Sequence, residues 1–209
     1  GYTHFQPAQP IVAGHWLMSY VWMLVRDRAR LADARTRTAV SPLGSGPLAG
    51  HPFGIDRAML SQELGFASCS QNSLDGVSDR DFAAEALFAC ALLGVHLSRL
   101  GEDIVLYSNP ALGFITLDDR YSTGSSIMPQ KRNADPMEIA RGKAGRLIGN
   151  LTGLLTMLKG LPSTYNKDLQ DDKQPTFEAF DTLDLLLPVI TAIIATLQFN
   201  IGKMQAALG

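Results

Sequence analysis

The chain has 209 residues, of which 46% are hydrophobic and 18% charged, so it is long enough to bury a substantial core and is not disordered. A net charge of −2 gives no broad electrostatic case for nucleic acid or an anionic membrane as a partner. Two cysteines, Cys69 and Cys90, form neither a disulfide framework nor a metal-ligand pattern, and the four histidines lack zinc-ligand spacing. A reducing, cytoplasmic compartment is therefore expected.

Apolar periodicity predicts an all-α bundle built from long helices. The irregular segment between the first two helices is rich in glycine and proline and holds one short helix near Asp56–Leu64. The second long helix is apolar on most sides, so we expect it to be buried against several neighbours, in its own chain or in another subunit. The four long helices are predicted from Pro10 to about Arg37, Asp79 to Tyr107, Asp135 to Lys159, and Thr176 to Leu208 with a bend or offset at Pro188.

An uncharged stretch from Leu185 to Gly202 is at the lower edge of the length that spans a membrane. It contains Pro188 and several polar residues, and it lacks a flanking basic cluster or aromatic belt. These features favour a buried bundle helix over a membrane span.

Four glycines of the third helix, Gly142, Gly145, Gly149 and Gly153, fall on one stripe. Each interior glycine costs about 0.5–1 kcal/mol relative to alanine, so the stripe predicts a partner helix at unusually close range. A helix of ~28 residues reaches about 42 Å, and rods of that length usually pack along copies of themselves.

Three polar segments lie at the joints of the helices: Thr3–Pro10, Gly124–Asn133 and Leu161–Lys173. Each has an ordinary structural interpretation, as a helix N-cap followed by prolines, a helix–helix connection and a solvated linker. The middle segment, however, combines paired serines with the cation of Lys131 on a glycine loop. Such groups suit binding a carboxylate and removing a proton from the carbon beside it. His15 and His96, within apolar helices, are expected to be core or interface histidines.

The run Gly124-Ser-Ser-Ile-Met-Pro-Gln-Lys-Arg-Asn133 resembles the signature of the fumarase/aspartase superfamily of β-elimination enzymes. Within it, the chain resembles the argininosuccinate lyases and the delta-crystallins related to them. The likeness runs in order through nearly the whole chain. It departs at Arg132, Ala134 and Pro7, where family members usually have Lys, Pro and a basic residue. The further matching stretches are Gly1–Gln6 with Ala8–Pro10, Pro42–Gly50, Ser73–Asp81 and Gly160–Lys173.

The resemblance implies a carbon–nitrogen lyase of arginine biosynthesis that splits argininosuccinate into arginine and fumarate, with no cofactor and no metal. It implies Ser125 as the base, which needs help from Lys131 and from backbone N–H groups of the loop. His4 is implied as the second acid/base, with Glu138 able to orient and polarise it.

The same resemblance implies the substrate-binding residues. Thr3 and Asn133 match donors that bind a carboxylate. Tyr165, Gln170 and Lys173 match positions that hold the amino-acid group on the arginine side. All nine positions combined would form one site for a small-molecule substrate.

The family's architecture implies a cytoplasmic homotetramer in which each active site draws segments from three subunits. Residues 1–209 would then be most of the central helical-bundle domain, with the N-terminal and C-terminal domains of the family absent. We therefore expect little or no turnover from this piece alone. No nucleic-acid or membrane partner is implied.

Two alternatives stay open at this point. The first is another lyase of the superfamily, such as adenylosuccinate lyase or fumarase, against which the Ser73–Asp81 and Tyr165–Lys173 segments argue. The second is a non-catalytic protein, either crystallin-like or an inert helical scaffold. The joint presence of four residues argues against lost activity, namely His4, Ser125, Lys131 and Asn133.

Overall fold

The structure is a computed structural model that describes residues 1–208. Within that range, the chain is built from seven α-helices, two short 3-10 helices and six strands of only two residues each, which confirms the predicted all-α class. The helices are α1 (Ala13–Thr38), α2 (Arg57–Glu63), α3 (Ser73–Ser78), α4 (Asp81–Ser108), α5 (Asp135–Leu158), α6 (Lys173–Thr196) and α7 (Ile201–Ala206). The strands are β1 (Tyr2–Thr3), β2 (Gln6–Pro7), β3 (Val40–Ser41), β4 (Ser68–Cys69), β5 (Ile115–Thr116) and β6 (Gln198–Phe199). The 3-10 helices are Asp119–Tyr121 and Lys167–Asp172.

Side-chain caps fix the starts of the two short helices between α1 and α4. The carboxylate of Asp56 accepts the N–H of Met59 at 3.0 Å and begins α2, close to the predicted boundary. The side-chain oxygen of Asn72 accepts the N–H groups of Leu74 and Asp75 and begins α3, which the sequence did not predict. Helix α3 has only six residues, too few to show a helical period.

The predicted fourth helix is too long at its carboxyl end. Helix α6 continues through Pro188 but ends at Thr196, and β6 follows it in antiparallel pairing with β5. The side-chain amide of Asn200 donates to the carbonyl of Gly113 at 2.7 Å and to Oγ1 of Thr116 at 3.0 Å. Because Asn200 bonds to this earlier segment, the residues after Thr196 do not continue α6, and α7 begins at the next residue, Ile201.

The chain divides into two compact units. The first comprises Gly1–Asp27, Leu92–Arg146 and the chain from Thr182 onward, and the second comprises Arg28–Ala91 and Leu147–Asp181. Each unit has its own buried apolar side chains. The most completely buried large ones are Leu97, Ile104, Met137 and Ile193 in the first unit, and Leu87, Leu147, Leu154 and Leu169 in the second.

In the first unit, α4 and α5 approach closely at Gly101. A Cβ at this position would lie 2.9 Å from the carbonyl oxygen of Met137, closer than van der Waals contact permits. The predicted glycine stripe of α5 behaves differently, because a Cβ at Gly142, Gly145, Gly149 or Gly153 would meet no atom within 4 Å. Within residues 1–208, the stripe therefore has no close partner helix of the kind that was predicted.

Of the two helical histidines, one is buried and one is exposed. Nδ1 of His96 lies 2.6 Å from a carboxylate oxygen of Asp27, and both residues are in the core of the first unit. The prediction of a core histidine is confirmed for His96, whereas His15 is exposed on the chain.

Two helical segments, Asp81–Ser108 and Lys167–Thr196, have the length and hydropathy that a membrane span would require. Only 44% and 33% of their most apolar windows are buried within the chain. The exposed remainder includes Phe88 of α4 and Leu185 of α6, so both helices present apolar surface outward.

Candidate active site

The Gly124–Asn133 segment is a closed loop whose two ends are joined. The N–H of Thr123 donates to the carbonyl of Asn133 at 3.0 Å, and the N–H of Asn133 donates back at 2.9 Å. The hydroxyl of Thr123 also donates to the carboxylate of Asp135, the first residue of α5. Three hydrogen bonds therefore hold the base of the loop to the start of a long helix, which is more support than a flexible linker has.

Within the loop, the side chain of Ser125 is surrounded by backbone donors. Its Oγ accepts the N–H groups of Ile127 and Met128, each at 3.2 Å. Both bonds would strengthen if the hydroxyl became an alkoxide, because hydrogen bonds to a charged acceptor are stronger than those to a neutral one. The local fold thus lowers the free-energy cost of the deprotonated form that a serine base would need.

The cations around the loop differ in their partners. Nε of Arg132 lies 3.0 Å from a carboxylate oxygen of Asp119. Asp118, which precedes Asp119 in the chain, accepts a side-chain hydrogen bond from Arg120, and this bond lowers the pKa of Asp118 to about 2. Among residues 1–208, the exposed ammonium of Lys131 makes no ion pair with a carboxylate. Its charge is therefore available to an anionic ligand or to an alkoxide.

Thr3 and His4 belong to a tight β-hairpin, which corrects the interpretation of this segment as a helix N-cap. Strands β1 and β2 pair Thr3 with Gln6, and the two residues between them, His4 and Phe5, have φ of 54° and 59°. Positive φ at both central positions is typical of a type I′ turn, which usually requires Asn or Gly. A histidine in this conformation is strained, and strain of this kind is concentrated at functional sites.

Glu138 lies in the first turn of α5 with half of its side chain exposed. One carboxylate oxygen lies 3.4 Å from the guanidinium of Arg141, which also binds Glu102 of α4. No hydrogen bond or ion pair within residues 1–208 joins His4 to Glu138 or to Ser125. Ser125, Lys131, Asn133 and Glu138 therefore lie close in sequence, in one loop and the helix that follows it. Within the described residues, no hydrogen bond joins the hairpin to Ser125 or Glu138.

The other three predicted residues lie in the second unit and contact one another. Nε2 of Gln170 donates to the hydroxyl of Tyr165 at 2.9 Å, and Nζ of Lys173 donates to Oε1 of Gln170 at 3.3 Å. Thr164, next to Tyr165, has a φ of 77°, which is unusual for a β-branched residue. The structure therefore gathers these three side chains into one exposed row.

Sequence reasoning missed two residues beside this row. Asp172 is buried and accepts hydrogen bonds from Lys173 and from the guanidinium of Arg80. Both residues lie within stretches that carry the resemblance to the lyases, but nothing in the sequence pairs them.

Comparison with known proteins places the chain in a family. The lyase family model matches residues 1–149. The chain belongs to the lyase family. This confirms the family resemblance drawn from the sequence.

Individual relatives of this lyase-family chain agree with the assignment. It is 59% identical over 208 residues to the argininosuccinate lyase of Roseiflexus sp. (strain RS-1), a match that covers 100% of this chain and 46% of that protein. Among solved structures, an EDDS lyase in complex with formate superposes with a TM-score of 0.91 at 33% identity, over 99% of this chain and 41% of the other. A class II fumarase from Schistosoma mansoni has the same fold at 18% identity, with a TM-score of 0.84 over 99% of this chain and 48% of the other. The chain spans about half the length of the curated relatives it matches.

Proposed function

We propose that the chain forms the central helical domain of an argininosuccinate lyase, which splits argininosuccinate into arginine and fumarate. The observation that carries this proposal is the pair of N–H donors on Oγ of Ser125. The same loop carries Lys131, whose ammonium makes no ion pair within the described residues. The identity to an argininosuccinate lyase over the whole chain supports the choice of substrate.

In the proposed mechanism, Ser125 acts as an alkoxide. It removes a proton from the carbon beside a substrate carboxylate, and the electrons of that C–H bond form the double bond of fumarate as the C–N bond breaks. The departing guanidino nitrogen takes a proton from an acid, which we assign to His4. Lys131 and the backbone N–H groups stabilise the alkoxide before the reaction and so lower the cost of forming it.

The remaining residues bind the two ends of the substrate. Thr3 and Asn133 donate hydrogen bonds to the succinate carboxylates, whose negative charge increases as the proton leaves. Tyr165, Gln170 and Lys173 hold the amino-acid group of the arginine part. This division separates the reacting end, which determines kcat, from the remote end, whose binding energy orients the substrate. No cofactor takes part in these steps.

The proposed assembly is a homotetramer in the cytoplasm, with each site completed by three subunits. Three observations on residues 1–208 support it: the exposed apolar surface of α4 and α6, the glycine stripe of α5 whose Cβ positions meet no neighbouring atom, and the hairpin of His4, which makes no bond to the Ser125 loop. Exposed apolar faces on long helices often mark subunit contacts. The His4 of a second subunit would then reach the Ser125 loop and Glu138, and residues 1–209 alone would have little or no turnover.

The experiment that tests the proposed function is an assay of the full-length gene product with three substrates. We expect fumarate to form from argininosuccinate, and neither adenylosuccinate nor malate to be consumed at a comparable rate. Comparable turnover of either alternative substrate would refute argininosuccinate as the substrate. A folded protein that is inactive on all three would favour the non-catalytic alternative.

A further inference from the structure

A buried ion pair in the second unit joins two segments that are far apart in sequence. Nε of Arg80 donates to the carboxylate of Asp172, and the two side chains are only 15% and 12% exposed. Nη1 of Arg80 also donates to the carbonyl of Asp79 at 2.6 Å. Removing two charges from water is costly, and a buried ion pair often adds little to stability compared with apolar residues of the same size. A role in fixing the geometry of neighbouring groups accounts better for this pair.

Asp172 is the last residue of the 3-10 helix Lys167–Asp172, and the geometry of that helix divides its side chains into rows. With three residues per turn, side chains at i and i+3 lie above one another. Leu169 and Asp172 form one row, and both residues are buried. Gln170 and Lys173, the first residue of α6, form the adjacent row and are exposed. Anchoring the buried row therefore fixes the direction in which the exposed row points.

Hydrogen bonds continue from the buried pair into the exposed row. Oδ1 of Asp172 accepts Nζ of Lys173 at 3.0 Å. Lys173 donates in turn to Gln170 at 3.3 Å, and Gln170 donates to the hydroxyl of Tyr165 at 2.9 Å. One connected chain of contacts thus runs from the guanidinium of Arg80 to all three predicted arginine-binding side chains.

The charges in this chain of contacts also matter for binding. The carboxylate of Asp172 lies between two cations, and the more buried of them, Arg80, offsets its negative charge. The ammonium of Lys173, with half of its side chain exposed, therefore keeps net positive charge for a ligand carboxylate. Without Arg80, Asp172 would neutralise Lys173 and weaken its attraction for an anion.

We propose that Arg80 and Asp172 are positioning residues that determine the affinity of the site for the amino-acid end of arginine. This inference rests on the proposed function. Neither residue touches the reacting atoms. Both fix the direction of the Lys173 and Gln170 side chains and preserve the positive charge of Lys173.

The reverse reaction tests this role, because arginine and fumarate are then separate substrates with separate KM values. The full-length gene product is compared with its Asp172→Asn and Arg80→Lys variants. We expect the KM for arginine to rise roughly tenfold to a hundredfold, the range for one hydrogen bond to a charged group. The KM for fumarate should change by less than about twofold, because both residues act on the arginine end of the site. A residue with only a structural role would instead change the two KM values alike.

The matched control is Glu85→Gln, which makes the same carboxylate-to-amide change at an exposed ion pair with Arg37 in the same unit. We expect its two KM values to equal those of the wild type. If Asp172→Asn does not fold, Arg80→Lys decides the question, because it keeps the positive charge and loses only the guanidinium geometry.

An unchanged KM for arginine, equal rises in both KM values, or a fall in kcat alone would overturn the proposal. Failure of the proposed function gives a different result, namely no formation of argininosuccinate by the wild-type protein. In that case calorimetric titration with arginine still decides the positioning role: weaker binding by both variants supports it, and equal affinities or no binding by the wild type overturn it.

Discussion

The two backbone donors on Ser125 lead to a prediction about a single N–H group. Replacing Ile127 by its α-hydroxy acid analogue exchanges the N–H for an ester oxygen and keeps the side chain. The bond from this N–H to Oγ of Ser125 is 3.2 Å long, at the weak end of the range for N–H···O hydrogen bonds. We expect kcat to fall about tenfold, because the alkoxide that removes the proton would lose one of its two donors.

The magnitude follows from the strength of hydrogen bonds to charged acceptors. Such a bond contributes about 1.5–3 kcal/mol, and its length here selects the lower value. At about 1.4 kcal/mol per pK unit, one donor lowers the cost of the alkoxide by roughly one unit, which is about tenfold in rate. The donor from Met128, also at 3.2 Å, contributes a similar amount, so both together lower the cost by roughly two units.

The assay is the initial rate of fumarate formation by the full-length protein, followed by absorbance. The control is the same ester exchange at Gln130, whose N–H makes no hydrogen bond within the described chain. An ester at Gln130 should leave kcat unchanged within about twofold. The reasoning is refuted if the ester at Ile127 changes kcat by less than about twofold, or if both esters lower it equally.

Three further predictions concern strain, ionisation and packing. His4→Gly should raise the free energy of unfolding of the chain by about 1 kcal/mol, because glycine adopts positive φ without strain. Turnover of the full-length protein should fall at least about a hundredfold. An unchanged or lower thermal midpoint would contradict the strain argument. Burial, followed by the hydrogen bond to Asp103, raises the pKa of Tyr20, so the folded state keeps the phenol proton above pH 10 while the unfolded state loses it. This contribution to stability is complete below the unfolded pKa of the phenol and is lost as pH rises. Above pH 10, the free energy of unfolding of the wild type should therefore fall by about 1.4 kcal/mol per pH unit more than that of Tyr20→Phe, as measured by urea titration. Parallel plots of unfolding free energy against pH for the two proteins would refute this. Gly101→Ala should destabilise the chain by about 1 kcal/mol, since the clash with α5 exceeds the gain in helix propensity. Gly142→Ala should instead stabilise the isolated chain by about 0.5–1 kcal/mol. Equal effects of the two substitutions in urea denaturation would contradict the close approach of α4 and α5 at Gly101.

Much of the fold could be predicted from the sequence, because the apolar periodicity of a long helix indicates where the helix begins and ends. The bounds of α1, α4 and α5 lie within a few residues of the predicted ones. The end of α6 could not be predicted, because it depends on contacts between Asn200 and a segment far earlier in the chain. The hairpin at His4 was missed because its turn lacks the Asn or Gly that usually marks a type I′ turn.

The candidate site was predictable to a different degree in its two parts. The residues proposed as catalytic around Ser125 stand within one run of the sequence, so composition and resemblance together marked this loop as a candidate. The pair of Arg80 and Asp172 was not found, because the two residues are 92 positions apart and only the fold joins them. Side chains that hold a site in place leave a weaker trace in a sequence than those that touch the substrate.

The measurement that tests the proposed function most directly is fumarate formation from argininosuccinate by the full-length protein and its Ser125→Ala variant. We predict that the wild type forms fumarate and arginine in equal amounts. The variant should lose a factor of about 10²–10⁴ in kcat, the usual contribution of a catalytic base, with an unchanged thermal midpoint. Near-normal turnover by a folded Ser125→Ala variant would contradict the assignment of Ser125 as the base.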